Sequence, residues 1–103
     1  MRKIIKTLIY DTENADFVAY YSYSNSRDFN YMSENMYRTK KGRWFLVGEG
    51  GPNSKYGVKT GYNEWSRSEQ LIAMEPEDAL EWLEEHGKTE AIEKYFSDCL
   101  VEA

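Results

Sequence analysis

Residues 36–56 read MYRTKKGRWFLVGEGGPNSKY and carry the strongest local pattern in the chain. Residues 37–39 favour extended backbone, and a Lys41-Gly42 turn separates them from an aromatic and β-branched run at 44–47. Glycines and Pro52 end that run. The stretch therefore predicts a β-hairpin around which the other elements are arranged.

A two-residue turn at Lys41-Gly42 fixes the pairing within this hairpin. It places Thr39 opposite Trp44 and Tyr37 opposite Leu46. Side chains alternate between the two faces of a strand, so a second set lies on the opposite face. That set is Met36, Arg38, Phe45 and Val47.

The residues before the hairpin predict further strands. One strand is predicted over 2–10 and a second over 15–23, each with alternating apolar positions. A polar loop is expected at 24–28. A two-stranded hairpin is marginal in water, so we expect these strands to pair and to join the central hairpin in one sheet.

The residues after the hairpin change in character. We expect a long loop over 52–68, a last strand over 69–74, and a helix from Pro76 to Gly87. Thr89 is the predicted cap of a second helix. The apolar stripe of that helix is Ala91, Ile92, Tyr95, Phe96, Cys99 and Leu100.

Together these elements predict an α+β fold in a single domain, 1–103. An antiparallel sheet of about four to five strands is followed by two C-terminal helices packed on one of its faces. The expected core between helices and sheet includes Leu83, Ile92 and Phe96. The single cysteine, the lack of a long apolar stretch and the lack of a signal-peptide pattern predict a cytoplasmic protein without a membrane span.

Charge is distributed unevenly along the chain, whose net charge is −5. Residues 1–60 hold ten Lys and Arg against six Asp and Glu, a net charge of +4. Residues 61–103 hold three Lys and Arg against twelve Asp and Glu, a net charge of −9. Such an end repels nucleic acid and attracts basic surfaces. The alternative is that the glutamates only solvate the outer faces of helices.

The residues point away from catalysis. The glycines at 48–51 lack the G-x-x-x-x-G-K-[ST] pattern of a phosphate loop. One histidine, His86, and one cysteine, Cys99, do not make up a typical zinc site. Glutamates on a convex helix do not face each other across a cleft, as glycoside hydrolysis requires. We therefore expect no enzyme, no metal and no cofactor.

A second hypothesis is that the chain binds nucleic acid. The central hairpin combines basic residues with tyrosines, and aromatic rings beside cations can stack bases. The basic residues are Arg38, Lys40, Lys41 and Arg43. This alternative makes the chain a small nucleic-acid-binding accessory module of a mobile element.

Several segments together resemble a group of small uncharacterised proteins of Gram-positive mobile elements. They are YDTE at 10–13, YRTKKGRWFL at 37–46, GEGG at 48–51 with SKY at 54–56, and PEDALEWL at 76–83. The resemblance covers most of the chain and carries no catalytic motif. Glu75 stands before the helix proline where Ser or Thr is more usual.

Small acidic proteins carried in this way resemble anti-CRISPR inhibitors. The resemblance implies a non-enzymatic protein that binds Cas9, with or without guide RNA, and blocks guide RNA or target DNA engagement, without binding nucleic acid itself. Cas9 holds nucleic acid in positively charged channels. The partner-binding residues expected on this reading are Glu77, Glu81, Glu84 and Glu85 for charge, with Tyr56, Tyr62 and Trp65 as anchors.

Overall fold

The computed structural model describes residues 1–25 and 27–103. Ser26, one position of the predicted loop at 24–28, lies outside the described residues. The strands are β1 (Arg2–Ile5), β2 (Leu8–Asp11), β3 (Ala15–Tyr23), β4 (Met32–Thr39), β5 (Trp44–Gly50), β6 (Val58–Gly61), β7 (Glu64–Ser66) and β8 (Ser68–Met74). The helices are α1 (Pro76–Glu85) and α2 (Thr89–Tyr95).

The main sheet has four antiparallel strands in the order β3-β4-β5-β8. Both helices pack on one face of this sheet, where they enclose a core with the sheet's side chains. The α+β fold with two C-terminal helices on one face is confirmed. The buried residues of this core are Ala19, Met36, Trp44, Leu46, Ala79, Trp82, Leu83 and Phe96. Ile92 is only partly buried against them.

Local sequence explains both ends of α1. Pro76 occupies its first turn, where a missing backbone N–H costs nothing, and acidic residues there suit the positive end of the helix dipole. Gly87 adopts a φ of +65°, which a glycine tolerates without strain. The Lys88 N–H then donates to the Leu83 carbonyl at 2.9 Å, so the helix closes with a Schellman-type bond.

A separate hairpin covers the other face of the sheet. It consists of β1 and β2, and its Tyr10 packs edge-on against Phe45 with ring centroids 5.4 Å apart. Val47 and Leu71 complete this second buried cluster. The central strand β5 therefore supplies core residues on both faces, which fits its unbroken apolar run.

The single strand predicted over 2–10 is wrong. The chain reverses at Lys6 and Thr7, whose φ angles are +50° and +66°, and β1 pairs with β2 rather than with β3. Two residues with positive φ are typical of a tight hairpin turn. Neither residue is a glycine or an asparagine, so the sequence contains no turn signal at this point. The alternation of apolar residues also continues across the turn without a break.

The predicted pairing of the central hairpin is wrong by one residue. Arg38, not Thr39, lies opposite Trp44, and Tyr37 lies opposite Phe45. The connection has three residues, with Gly42 at a φ of +89°, because a type I turn is followed by a glycine bulge. The slip exchanges the side chains that share a face. Met36 consequently faces the helices together with Leu46, not with Phe45.

Two further predictions need correction. The segment 52–68 is not a plain loop, because it contains the short hairpin of β6 and β7. The second helix ends at Tyr95, before the end of its apolar stripe, and Lys88 rather than Thr89 is its N-cap. Cys99 and Leu100 consequently lie exposed beyond it.

Candidate interaction surface and a buried glutamate

Four predicted site residues lie on the outer side of α1. Glu77, Glu81, Glu84 and Glu85 are all exposed, and we call them the acidic helical surface. Their position follows from the helical repeat, because the buried positions of α1 are Ala79, Trp82 and Leu83. The packing of the helix on the sheet therefore holds these carboxylates toward solvent.

The acidic helical surface is not neutralised from within the described part of the chain. The ion pairs found there are Arg2 with Asp11, Lys40 with Asp16, and Lys55 with Glu34. Lys88, four residues after Glu84, instead lies over the Tyr20 ring at 5.6 Å from its centroid. Like charges four residues apart on a helix destabilise it slightly, so the arrangement carries a small cost that a basic partner would relieve.

The three predicted aromatic anchors do not lie together on the surface. Tyr62 and Trp65 belong to the β6–β7 hairpin and are 89% and 54% exposed. Tyr56 is only 1% exposed, so its ring is not available to a partner. The expectation that Tyr56 acts as a surface anchor is corrected accordingly, because the ring is part of the interior.

The buried Tyr56 contacts a buried carboxylate, Glu34, which is also 1% exposed. The Tyr56 hydroxyl donates to Glu34 Oε2, and Lys55 Nζ lies 2.6 Å from the same oxygen. Trp82 Nε1 donates to Glu34 Oε1 at 2.9 Å. Glu34 thus joins β4, the segment before β6, and α1 at one point.

Opposing effects set the protonation of this pair. Burial raises the pKa of Glu34, but the hydrogen bonds from Lys55, Tyr56 and Trp82 outweigh burial and hold the pKa below its ordinary value of 4.5. Burial and the adjacent Glu34 carboxylate raise the pKa of Tyr56 well above its ordinary value of 10.0. Around neutral pH the folded state therefore holds an ionised Glu34 beside a neutral Tyr56.

We expect stability to fall at alkaline pH through Tyr56. Above pH 10 this tyrosine ionises in the unfolded chain but stays protonated in the folded chain. Its ionisation therefore stabilises the unfolded state relative to the folded state. Its contribution is complete below pH 10 and is lost above it by up to ~1.4 kcal/mol per pH unit. Urea unfolding from pH 8 to 11 measures this slope. The Tyr56→Phe variant is the control and should show a shallower alkaline decline; equal slopes would contradict the assignment.

Some of the basic residues expected to bind nucleic acid already interact with other side chains of the protein. The Arg38 guanidinium lies 5.6 Å from the ring centroids of both Trp44 and Tyr95. Lys40 Nζ is paired with Asp16 at 2.6 Å. Lys41 and Arg43 are exposed. The four basic residues therefore do not form one continuous surface of free cations.

The described residues do not bring together groups suited to metal chemistry. No set of three His, Cys, Asp or Glu among them is placed to hold a metal ion. A cleft of about 630 Å³ lies between the β1–β2 turn and the start of α1, lined by Ile5, Leu8, Trp44 and Met74 among others. None of the predicted Cas9-binding residues lines this cleft, but Arg43, one of the basic residues of the nucleic-acid hypothesis, does.

Fold and surface together define a small α+β domain whose acidic helical surface forms no ion pair with any residue that the structure describes. Comparison of the chain with protein-family models, with curated proteins and with solved structures finds no match. Among the described residues, no helix combines the length and the apolar character needed to cross a membrane.

Proposed function

We propose that this protein is a non-enzymatic inhibitor that binds a basic protein surface through the acidic helical surface. The observation that carries the proposal is the exposure of all four glutamates without an ion pair to any described residue. A partner that normally holds nucleic acid offers the complementary charge. The inhibitor would then occupy space that guide RNA or target DNA requires.

Two different arguments support the proposal. The geometry of the helices supports the choice of binding surface, and the resemblance supports the choice of partner. The resemblance to small proteins of mobile elements, and through them to anti-CRISPR proteins, names Cas9, whose nucleic-acid channels are positively charged. Inhibition would take place in the cytoplasm of the bacterial host. Tyr62 and Trp65 are the aromatic side chains that could add apolar contact area, since their rings already face solvent.

Immobilised Cas9 is expected to retain the purified protein in a pull-down. Comparing Cas9 alone with the Cas9–guide complex identifies the competing ligand: retention by Cas9 alone, reduced by guide RNA, indicates competition with the guide. Equal retention by both excludes competition with the guide, and a loss of retention on adding target DNA then indicates competition with the target. The absence of retention in both cases at low salt would contradict the choice of partner.

Direct binding of nucleic acid is the alternative to inhibition of Cas9. It depends on the hairpin cations, of which Arg38 and Lys40 already have partners within the chain. Direct binding would require salt-sensitive retardation of RNA in a gel, because phosphate contacts release counterions. Loss of that retardation on replacing Lys41 and Arg43 would favour the alternative over the inhibitor.

A further inference from the structure

The β6–β7 hairpin makes its main contacts within itself. β6 and β7 pair with each other in a separate two-stranded sheet, and the tip residue Tyr62 is 89% exposed. An isolated two-stranded hairpin is marginal in water. The direction in which this hairpin projects must therefore be fixed at its base.

Both ends of the hairpin meet at Tyr56. Ser68, just after the hairpin, donates its hydroxyl hydrogen bond to the Tyr56 carbonyl. On the other side, the Tyr56 N–H donates to Ser54 Oγ at 3.2 Å, and the Gly57 N–H donates to the Ser54 carbonyl at 3.0 Å. The position of Tyr56 thus determines where the hairpin begins and ends.

The Tyr56 ring packs directly on the sheet. The Tyr56 ring fills the space that a Cβ would occupy at Gly48, so only a glycine fits at this position of the strand. Gly48 lies opposite Glu34 in the sheet. The ring is therefore held between a bare backbone position and the carboxylate that accepts its hydroxyl.

Glu34 is the shared acceptor of this arrangement. Its oxygens receive hydrogen bonds from Tyr56 and Trp82, and the Lys55 ammonium lies at 2.6 Å. Without the carboxylate, the buried hydroxyl and indole N–H would lose their partner, and unsatisfied buried donors are costly. The His86 ring packs against Tyr21 and against Trp82, the residue whose indole donates to Glu34.

We propose that Glu34 is a positioning residue that fixes the segment 51–57 and, through Tyr56, the direction of the β6–β7 hairpin. The carboxylate anchors this segment to β4 and α1, while Tyr62 and Trp65 stay in solvent. The positional role does not depend on any partner. That the positioned rings then serve partner binding rests on the proposed function.

Amide hydrogen exchange of the free, full-length protein tests the proposal. The reporter amides of Gly51, Asn53, Ser54 and Gly57 all donate hydrogen bonds that hold the 51–57 segment. In the Glu34→Gln variant these amides should exchange about tenfold faster, as expected for the loss of one or more hydrogen bonds. Amides of β5, such as that of Leu46, should accelerate much less than the reporter amides.

The matched control is Asp16→Asn. Like Glu34, Asp16 has a carboxylate oxygen 2.6 Å from a lysine Nζ, but it lies on the edge strand β3. Removing its charge should leave the exchange rates of the reporter amides unchanged. If Glu34→Gln fails to fold, Tyr56→Phe removes only the hydroxyl and takes its place in the test.

Reporter amides that exchange at the wild-type rate in the folded variant would overturn the proposal. Equal acceleration in β5 and in the reporter amides would also overturn it, because Glu34 would then stabilise the whole domain. Neither result bears on the acidic helical surface, and failure to inhibit Cas9 would not change the exchange rates of the free protein.

Discussion

Replacing Phe96 by alanine should lower the free energy of unfolding by ~3–5 kcal/mol. Phe96 is 9% exposed, and its ring stacks on Trp44 with centroids 5.1 Å apart. It joins the end of α2 to the central strand, so its loss leaves a cavity between helix and sheet. A domain of this size has a total stability of about 5–15 kcal/mol, which makes the loss a large share.

Leu100→Ala provides the control for Phe96→Ala. Leu100 belongs to the same apolar stripe in the sequence, but it is 51% exposed beyond the end of α2. We expect it to change stability by no more than about 0.5 kcal/mol. Urea unfolding of both variants measures the difference, and similar losses for the two would show that the core does not end where α2 ends.

The parts of the fold that the sequence predicts are those with local signals. α1 was predicted correctly because a proline, first-turn acids and a terminal glycine all mark its limits. Strand β3 was predicted correctly because its alternation is bounded by polar turns. The Lys6-Thr7 reversal was missed because neither residue is a usual turn former.

The register error has a different cause. A dipeptide ending in glycine fits both a two-residue turn and the last positions of a three-residue loop. Only the backbone shows that Gly42 forms the bulge, in a three-residue loop that starts at Lys40. A slip of one residue changes which side chains of the two strands share a face, which explains why the predicted pairing groups Met36 with Phe45 and Val47 instead of with Leu46.

The acidic helical surface follows from helical periodicity, but the Glu34 cluster does not. Met32, Glu34 and Met36 alternate along β4, and a glutamate between two methionines on one strand face is a usable signal of burial. Its partners are 22 and 48 residues away, at Tyr56 and Trp82. Such distant contacts depend on how the sheet and α1 assemble, so the sequence also predicted Tyr56 as exposed.

The second large effect is expected when Glu77, Glu81, Glu84 and Glu85 are all replaced by glutamine. Exposed charges mainly set the association rate and its salt dependence, so each single change should be nearly silent. Removing all four should slow binding by about tenfold or more, within the range of electrostatic steering. Glutamine keeps helix propensity, so the fold should persist. Wild-type inhibition should also weaken as salt rises above ~0.15 M.

A second four-glutamine variant separates local from overall charge. Glu13, Glu64, Glu69 and Glu102 are exposed and lie outside α1 and α2. Their replacement changes the net charge by the same amount without touching the acidic helical surface. If overall charge alone steers binding, the two variants will lose inhibition equally.

The most direct measurement is DNA cleavage by purified Cas9 with guide and target, in the presence of the wild-type protein and each four-glutamine variant. We predict that the wild type and the Glu13, Glu64, Glu69 and Glu102 variant inhibit cleavage, and that the acidic-helical-surface variant inhibits about tenfold more weakly or not at all. Equal inhibition by all three would contradict the assigned surface. Cleavage unaffected by the wild type at every order of addition would contradict Cas9 as the partner.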